Sequence, residues 1–205
     1  LIAYRASELL IEAGIPLGTF QLCLGRGSDV GSYLSSSSII SGVAFTGSTT
    51  VAKQIKRNLV KNGNPEARVI AETGGLNAMV VDSTALCEQV TRDVIDGAFK
   101  SAGQRCSALR VLMIQEECFD ETLKMIKGAM MELNIGNPKH LSTDCGPVIN
   151  DDARLKLQGY IDQSRKRSQI IGEIQCNLNA GYYVSPTIIH LKSIDEINEE
   201  FFGPI

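Results

Sequence analysis

The sequence predicts an α/β protein with a parallel sheet covered by helices. Three observations predict it. Short apolar runs alternate with segments of helical periodicity. Clusters of glycine, asparagine and proline punctuate those segments. The 205 residues are 43% hydrophobic and 21% charged, an ordinary balance for a soluble globular chain of one large or two small domains.

The elements follow in order. Ala3, Ala6, Leu9, Leu10 and Ala13 recur at helical spacing, and Gly14 and Pro16 end that helix. Thr19 to Leu24 reads as a buried strand, and Ser28 to Leu34 as a short helix. The serine run Ser35 to Ser38 reads as an exposed loop. Gly42 to Thr46 is a strand, and Ser48 opens a helix carrying Val51, Ile55 and Leu59. After a turn at Lys61 to Pro65, Ala67 to Ala71 forms a strand that ends at Glu72. Asn77 to Val81 is the next strand, and Ser83 is expected to cap a helix bearing Leu86, Val90, Val94 and Ala98. Leu109 to Gln115 is a strand, followed by a helix with Leu123, Ile126, Met130 and Leu133. Asp151 and Asp152 open a helix that closes on Arg165, Lys166 and Arg167, the charge order the helix dipole favours. Tyr182 to Val184 and Thr187 to Leu191 read as strands around Pro186. The glycines after Thr73 mark the best domain boundary, dividing residues 1–75 from 76–205.

Composition excludes several classes. A formal net charge of −3 offers no electrostatic reason for nucleic acid contact. No apolar run is long enough to span a bilayer, and the N-terminus lacks the order of a signal peptide. The six cysteines form no Cys-x-x-Cys pair, and His140 and His190 stand at no metal-ligand spacing from them, so no metal site is expected. A disulfide framework is not expected in a chain of this size, which predicts a reduced, cytoplasmic protein with free thiols.

The chemistry-bearing candidates are a thiol and a carboxylate. Cys106 lies in Gly103-Gln104-Arg105-Cys106-Ser107-Ala108, outside any apolar run and so open to reagents. Arg105 would favour its thiolate if turned inward. Glu72 lies 34 positions upstream in Glu72-Thr73-Gly74-Gly75. A thiol so placed suits nucleophilic addition, and a carboxylate suits activation of water. Phe45-Thr46-Gly47-Ser48 joins a strand to a helix N-terminus, a place that favours a pyrophosphate. Gly25, Gly27 and Gly31 miss the usual dinucleotide spacing by one position. Glu200-Phe201-Phe202-Gly203-Pro204 offers a carboxylate and an aromatic ring beside a Gly-Pro turn.

With these motifs the whole chain resembles the NAD(P)-dependent aldehyde dehydrogenase superfamily. Glu72-Thr73-Gly74-Gly75-Leu76-Asn77 and Gly103-Gln104-Arg105-Cys106-Ser107-Ala108 resemble its proline-catabolic branch, the L-glutamate γ-semialdehyde (1-pyrroline-5-carboxylate) dehydrogenase part of bifunctional bacterial proline-utilisation proteins. The resemblance implies parts of a Rossmann-like NAD-binding domain in residues 1–75 and of the catalytic domain in residues 76–205. The active site is expected in the crevice between the two domains. Cys106 is implied as nucleophile and Glu72 as the base that activates water. Gly27, Thr46, Gly47, Ser48, Thr73, Gly74, Glu200 and Phe202 are implied at the cofactor, and Ser107 and Arg105 at the substrate. The expected reaction is oxidation of L-glutamate 5-semialdehyde to L-glutamate with NAD as acceptor.

The same resemblance implies a proline dehydrogenase domain in the same parent chain, with FAD confined to that domain, and an intact protein that forms a homo-oligomer. The family's Pro-Trp-Asn-Phe-Pro segment, whose Asn completes the oxyanion hole, would precede Leu1, and this chain has no Trp. The expectation is a segment truncated at both ends and inactive alone. The alternatives are another semialdehyde dehydrogenase, for example one for succinate semialdehyde, and a non-catalytic binding or folding module.

Overall fold

The computed structural model describes residues 1–16, 18–176, 178 and 180–205. Its contacts divide into two compact units, Leu1–Thr73 and Gly74–Ile205.

In the first unit, α1 (Ile2–Glu12) leads through a π-turn (Gly27–Gly31) into the short α2 (Ser32–Ser35). Then β1 (Gly42–Gly47), α3 (Thr49–Asn62) and β2 (Arg68–Thr73) form one strand–helix–strand unit. β1 and β2 pair in parallel, which a helical crossover permits and a tight hairpin does not. Val43, Phe45, Val69 and Ala71 are half-buried on one face of this pair, while Ala44 and Ile70 stay exposed on the other. α3 starts as expected, with the Ser48 side chain accepting from the Val51 amide at 3.3 Å, and it buries Ala52 and Leu59.

Thr19 to Leu24 is not a strand. Phe20, Leu22 and Leu24 are exposed, and residues 18–24 pair with no strand. Strand propensity measures fit to a half-buried pleated surface, and these exposed side chains lie on none. Ser35 departs from the exposed-loop expectation, since it is buried, donates to the Ser32 carbonyl and accepts from Asn58 Nδ2 at 2.9 Å.

The second unit holds two parallel strands, β3 (Ala78–Val81) and β4 (Val111–Ile114), with α4 (Cys87–Ala98) and α5 (Glu116–Met131). Val81, Val90, Val94, Ala98, Phe99, Leu109, Ile126 and Met130 form its main core. Val90, Val94 and Ala98 share one stripe of α4, and Ile126 and Met130 one stripe of α5, while Met79 and Val81 of β3 and the partly buried Leu112 and Ile114 of β4 each stand two positions apart on one strand face. A second core joins Ala102, Cys145, Val148, Leu157, Ile161 and Val184 around α6 (Asp151–Lys166). α6 carries the expected acids in its first turn and bases in its last, and Asn150 caps it by accepting from the Ala153 amide at 2.9 Å.

Ser83 does not cap α4. Asp82 accepts from the Thr84 amide at 2.8 Å and the Thr84 hydroxyl at 2.6 Å, so residues 82–84 form a turn of their own and the helix starts later, at Cys87. The β-structure after α6 also differs from expectation. β5 (Ile170–Glu173) pairs antiparallel with β6 (Thr187–Ile189), with a register shift between Ile170 and Gly172. Tyr182 to Val184 stays outside the ladder, and its Tyr182 carbonyl accepts from the Val148 amide instead. Among the described residues no helix is long and apolar enough to cross a membrane.

Candidate active site

In the first unit, the candidates gather at the carboxyl end of the two parallel strands. Register places Thr46 beside Glu72 and Gly47 beside Thr73. Ser48 follows directly as the cap of α3, and Thr46, Gly47, Ser48 and Glu72 are all exposed. A parallel pair presents its loops on one side, so this one strand end carries both motifs. The first amides of α3 have no partner within the helix and point to this end. Lys53, Lys56, Arg57 and Lys61 make α3 basic. The free amides at the positive end of the helix dipole fit a pyrophosphate, whereas Lys61 stands in the last turn, away from them. Gly27 opens the π-turn, where a side chain would meet open space, and it stands in a separate element from the strand end.

The second unit holds the thiol. Cys106 is exposed on the loop between α4 and β4. The loop leaves α4 through a 3-10 turn, Lys100–Gly103, in which Ser101, Ala102 and Gly103 have φ of 57°, 51° and 63°. Left-handed backbone is costly for Ser and Ala, so the strained run must be held by its surroundings. Three polar side chains hold the loop that contains it. Asn77 Nδ2 donates to the carbonyls of Cys106 at 2.7 Å and Ala108 at 2.9 Å. Gln104 donates to the Ser101 and Pro147 carbonyls and accepts from the Ile149 amide at 2.8 Å. Arg110 donates to the Gly103 carbonyl at 2.5 Å and the Arg105 carbonyl at 3.4 Å.

Arg105 itself turns toward the end of α4, where its guanidinium donates to the Asp96 carbonyl at 2.6 Å and the Gly97 carbonyl at 3.4 Å. There it complements the negative end of the helix, and contact with a substrate would require it to leave those carbonyls. Ser107 is exposed next to the thiol.

Glu200 and Phe202 come to the same loop through Arg110. The Arg110 side chain is 3% exposed and pairs with Glu200, 22% exposed, at 3.4 Å. The guanidinium lies 5.1 Å from the Phe202 ring centre and donates to the Gly203 carbonyl at 3.1 Å. Burial pushes the Arg110 pKa down, and the Glu200 charge opposes that shift. A side chain at Gly74 would strike the Glu200 carboxylate, and one at Gly103 would strike the Gly203 backbone. The two motifs therefore meet through glycine, backbone to backbone. Next to them Phe201 stacks on Tyr160, with ring centres 3.6 Å apart. A carboxylate in this place suits ribose hydroxyls, and the Phe202 ring, 43% exposed, offers a flat face. A cavity of about 440 Å³, mostly apolar, lies between β4 and β6 and is not lined by Cys106.

Sequence reading missed Asn77, Gln104 and Arg110 as members of this site. Arg110 had a visible signal, a lone cation in the apolar run Ala108-Leu109-Arg110-Val111-Leu112. Such a residue has to find partners for its charge once the strand is buried. Asn77 and Gln104 stand inside the quoted motifs without any sign of which carbonyls they serve.

Comparison with known proteins agrees with the motifs. The family model for the aldehyde dehydrogenase family matches residues 1–205. The bifunctional protein PutA of Klebsiella aerogenes is 47% identical over the whole chain, which spans 16% of that protein's length. A 1-pyrroline-5-carboxylate dehydrogenase of Geobacillus thermodenitrificans is 32% identical, again over the whole chain and 41% of its own length. The crystal structure of Bradyrhizobium japonicum proline utilization A superposes with a TM-score of 0.93 at 43% identity, covering 99% of this chain and 21% of that one. Betaine aldehyde dehydrogenase of Staphylococcus aureus, solved in complex with NAD⁺, gives 0.90 at 29% identity, covering 100% of this chain and 41% of that one. Matched from its first residue to its last, the chain belongs to the aldehyde dehydrogenase family.

Proposed function

We propose that this chain is the thiol-bearing segment of an NAD-dependent L-glutamate 5-semialdehyde dehydrogenase that serves proline catabolism. The observation that carries the reading is the exposed Cys106 on a loop braced by Asn77, Gln104 and Arg110, with the Glu200–Phe202 segment tied to the same loop. The likeness to PutA and to 1-pyrroline-5-carboxylate dehydrogenase supports the substrate. The NAD⁺ complex of the betaine aldehyde dehydrogenase supports the cofactor.

Cys106 Sγ, as thiolate, adds to the aldehyde carbon and makes a tetrahedral oxyanion. NAD, when bound, supplies the acceptor for the hydride that this carbon gives up. The carbon is left as a thioester on Cys106. Glu72 takes a proton from water, the hydroxide adds to the thioester, and the thiolate leaves with release of the acid. Ser107 bonds the far carboxylate of the substrate, with Arg105 available to it only on release from the α4 carbonyls. With NAD bound, Glu200 would accept from ribose hydroxyls, Phe202 would offer its ring to the nicotinamide, and Gly27, Thr46, Gly47, Ser48, Thr73 and Gly74 would hold the rest of the dinucleotide. The division of labour is the nucleotide-binding part in residues 1–75 and the catalytic part in residues 76–205.

By the same reading the parent carries a proline dehydrogenase domain with FAD, assembles as a homo-oligomer and works in the cytoplasm. The 205-residue chain alone turns over little or no aldehyde. The test is NADH formation from glutamate semialdehyde by the intact parent, its Cys106→Ser variant and the isolated chain. The parent is expected to act, with kcat/KM higher than for succinate semialdehyde, and the variant is expected to lose activity by about 10³-fold or more. Full activity without the Cys106 thiol would overturn the reading. So would a parent that prefers succinate semialdehyde, as regards the substrate.

A further inference from the structure

We propose that Arg110 is a positioning residue that holds the thiol loop and the Glu200–Phe202 segment in one fixed frame. The inference rests on the functional reading above, and it goes further by naming the part that joins the two motifs. One guanidinium reaches four groups from both sides. On the thiol side these are the Gly103 carbonyl at 2.5 Å and the Arg105 carbonyl at 3.4 Å. On the other side they are the Gly203 carbonyl at 3.1 Å and Glu200 Oε1 at 3.4 Å. The Phe202 ring closes one side of the group, 5.1 Å away.

The chemistry explains why arginine stands here. Three backbone carbonyls and a carboxylate present only acceptors, and the planar fork of arginine supplies five fixed donors to meet them. Lysine offers three donors around one point and cannot span the two segments in the same way. Loss of the guanidinium would leave the Gly103 carbonyl and the half-shielded Glu200 without this donor, while the Arg105 and Gly203 carbonyls would keep only the Ala108 and Ile205 amides. The strained run at Ser101, Ala102 and Gly103 would lose one of the bonds that keep it left-handed. Since Arg110 touches the backbone of Arg105, the neighbour of Cys106, its effect on the sulfur passes through the loop and not through contact with substrate.

Backbone hydrogen exchange on the 205-residue chain tests this without aldehyde or dinucleotide, so its outcome is separate from that of the turnover assay. In Arg110→Ala, amides of residues 103–108 and 200–205 are expected to exchange faster together, by about tenfold, while those of α5 hold their protection. Guanidinium ion at a non-denaturing concentration is expected to restore both segments, and ammonium ion to restore neither. Arg110→Lys is expected to loosen both segments as well. Glu200→Gln is expected to loosen residues 200–205 alone, because the carbonyl bonds of Arg110 remain. Should Arg110→Ala fail to fold, the lysine variant carries the same test. Unchanged exchange, loosening of one segment only in the Arg110 variants, uniform loosening of all residues 74–205, or no rescue by guanidinium would each overturn the proposal.

Discussion

Thr46, Gly47, Ser48, Glu72 and Thr73 come together in the first unit through backbone alone, by the parallel register of β1 and β2 and the start of α3. In the second unit, Cys106, Glu200 and Phe202 are placed by side chains, with Asn77 reaching the thiol loop and Arg110 joining that loop to the Glu200–Gly203 segment. The cores differ in the same direction. Among the described residues, the first unit buries Ala52 and Leu59 as its apolar residues, whereas the second fills two clusters. A register between neighbouring strands asks little of a core, because each ladder bond fixes the next. A strained loop joined to a segment some ninety residues later asks for a rigid background, and the second unit supplies it.

The strongest way to break this contrast is to remove core volume. Ile126 is 1% exposed in the centre of the larger cluster. Ile126→Ala is expected to destabilise the second unit by about 2–5 kcal/mol, near the upper end because its cluster draws on both α4 and α5 and leaves it 1% exposed. Leu59→Ala should fall near the lower end, since the exposed surroundings of α3 can close over the gap. Denaturant titration followed by hydrogen exchange would measure both, and equal losses would remove the distinction drawn between the two cores.

How much of this was legible follows from the physics of each element. The strand–helix–strand of the first unit depends on local periodicity and a serine cap, and its sequence shows both. β5 escaped because Gly172 breaks its alternation and its partner lies beyond Pro186, so no local pattern announces the pair. Thr19 to Leu24 failed in the opposite way, with strand-like residues whose apolar side chains stay exposed. The motif residues Cys106, Glu72, Glu200 and Phe202 were visible because their types and neighbours are unusual. Their supports were not, since Asn77 and Arg110 act on carbonyls, and a carbonyl has no letter in the sequence.

A second, smaller effect probes the other core by pH. Cys145 is fully buried in the α6 cluster, and burial pushes its thiol up to about 11 from an ordinary 9.0, with Cys176 adding to the shift. The folded chain thus keeps a proton that the unfolded chain releases first. Stability is fully present below pH 9, declines between 9 and about 11, and levels off above, with a total loss of about 2–3 kcal/mol. Cys145→Ala should flatten this part of the profile when stability is measured across that range in wild type and variant. A decline of the same size in the variant would place the titrating group elsewhere.

The smallest effect compares the same lesion in both units. Ser48 and Asn150 each cap a long helix by accepting from the amide three residues on, at 3.3 Å in α3 and 2.9 Å in α6. Replacing either by Ala is expected to cost about 1 kcal/mol. The shorter bond and the two acids that follow Asn150 put α6 at the larger loss, because Asp151 and Asp152 lean on the same helix end once the cap defines it. Yet Ser48 belongs to the strand end that also carries Gly47 and Glu72, so its loss should fray the first turn of α3 beside them. Exchange of the Val51 amide, which Ser48 accepts from, reads this directly. It should speed up in Ser48→Ala while the Ala153 amide responds only to Asn150→Ala, and a larger cost at Ser48 would mean that the backbone-built end is the more tightly held of the two.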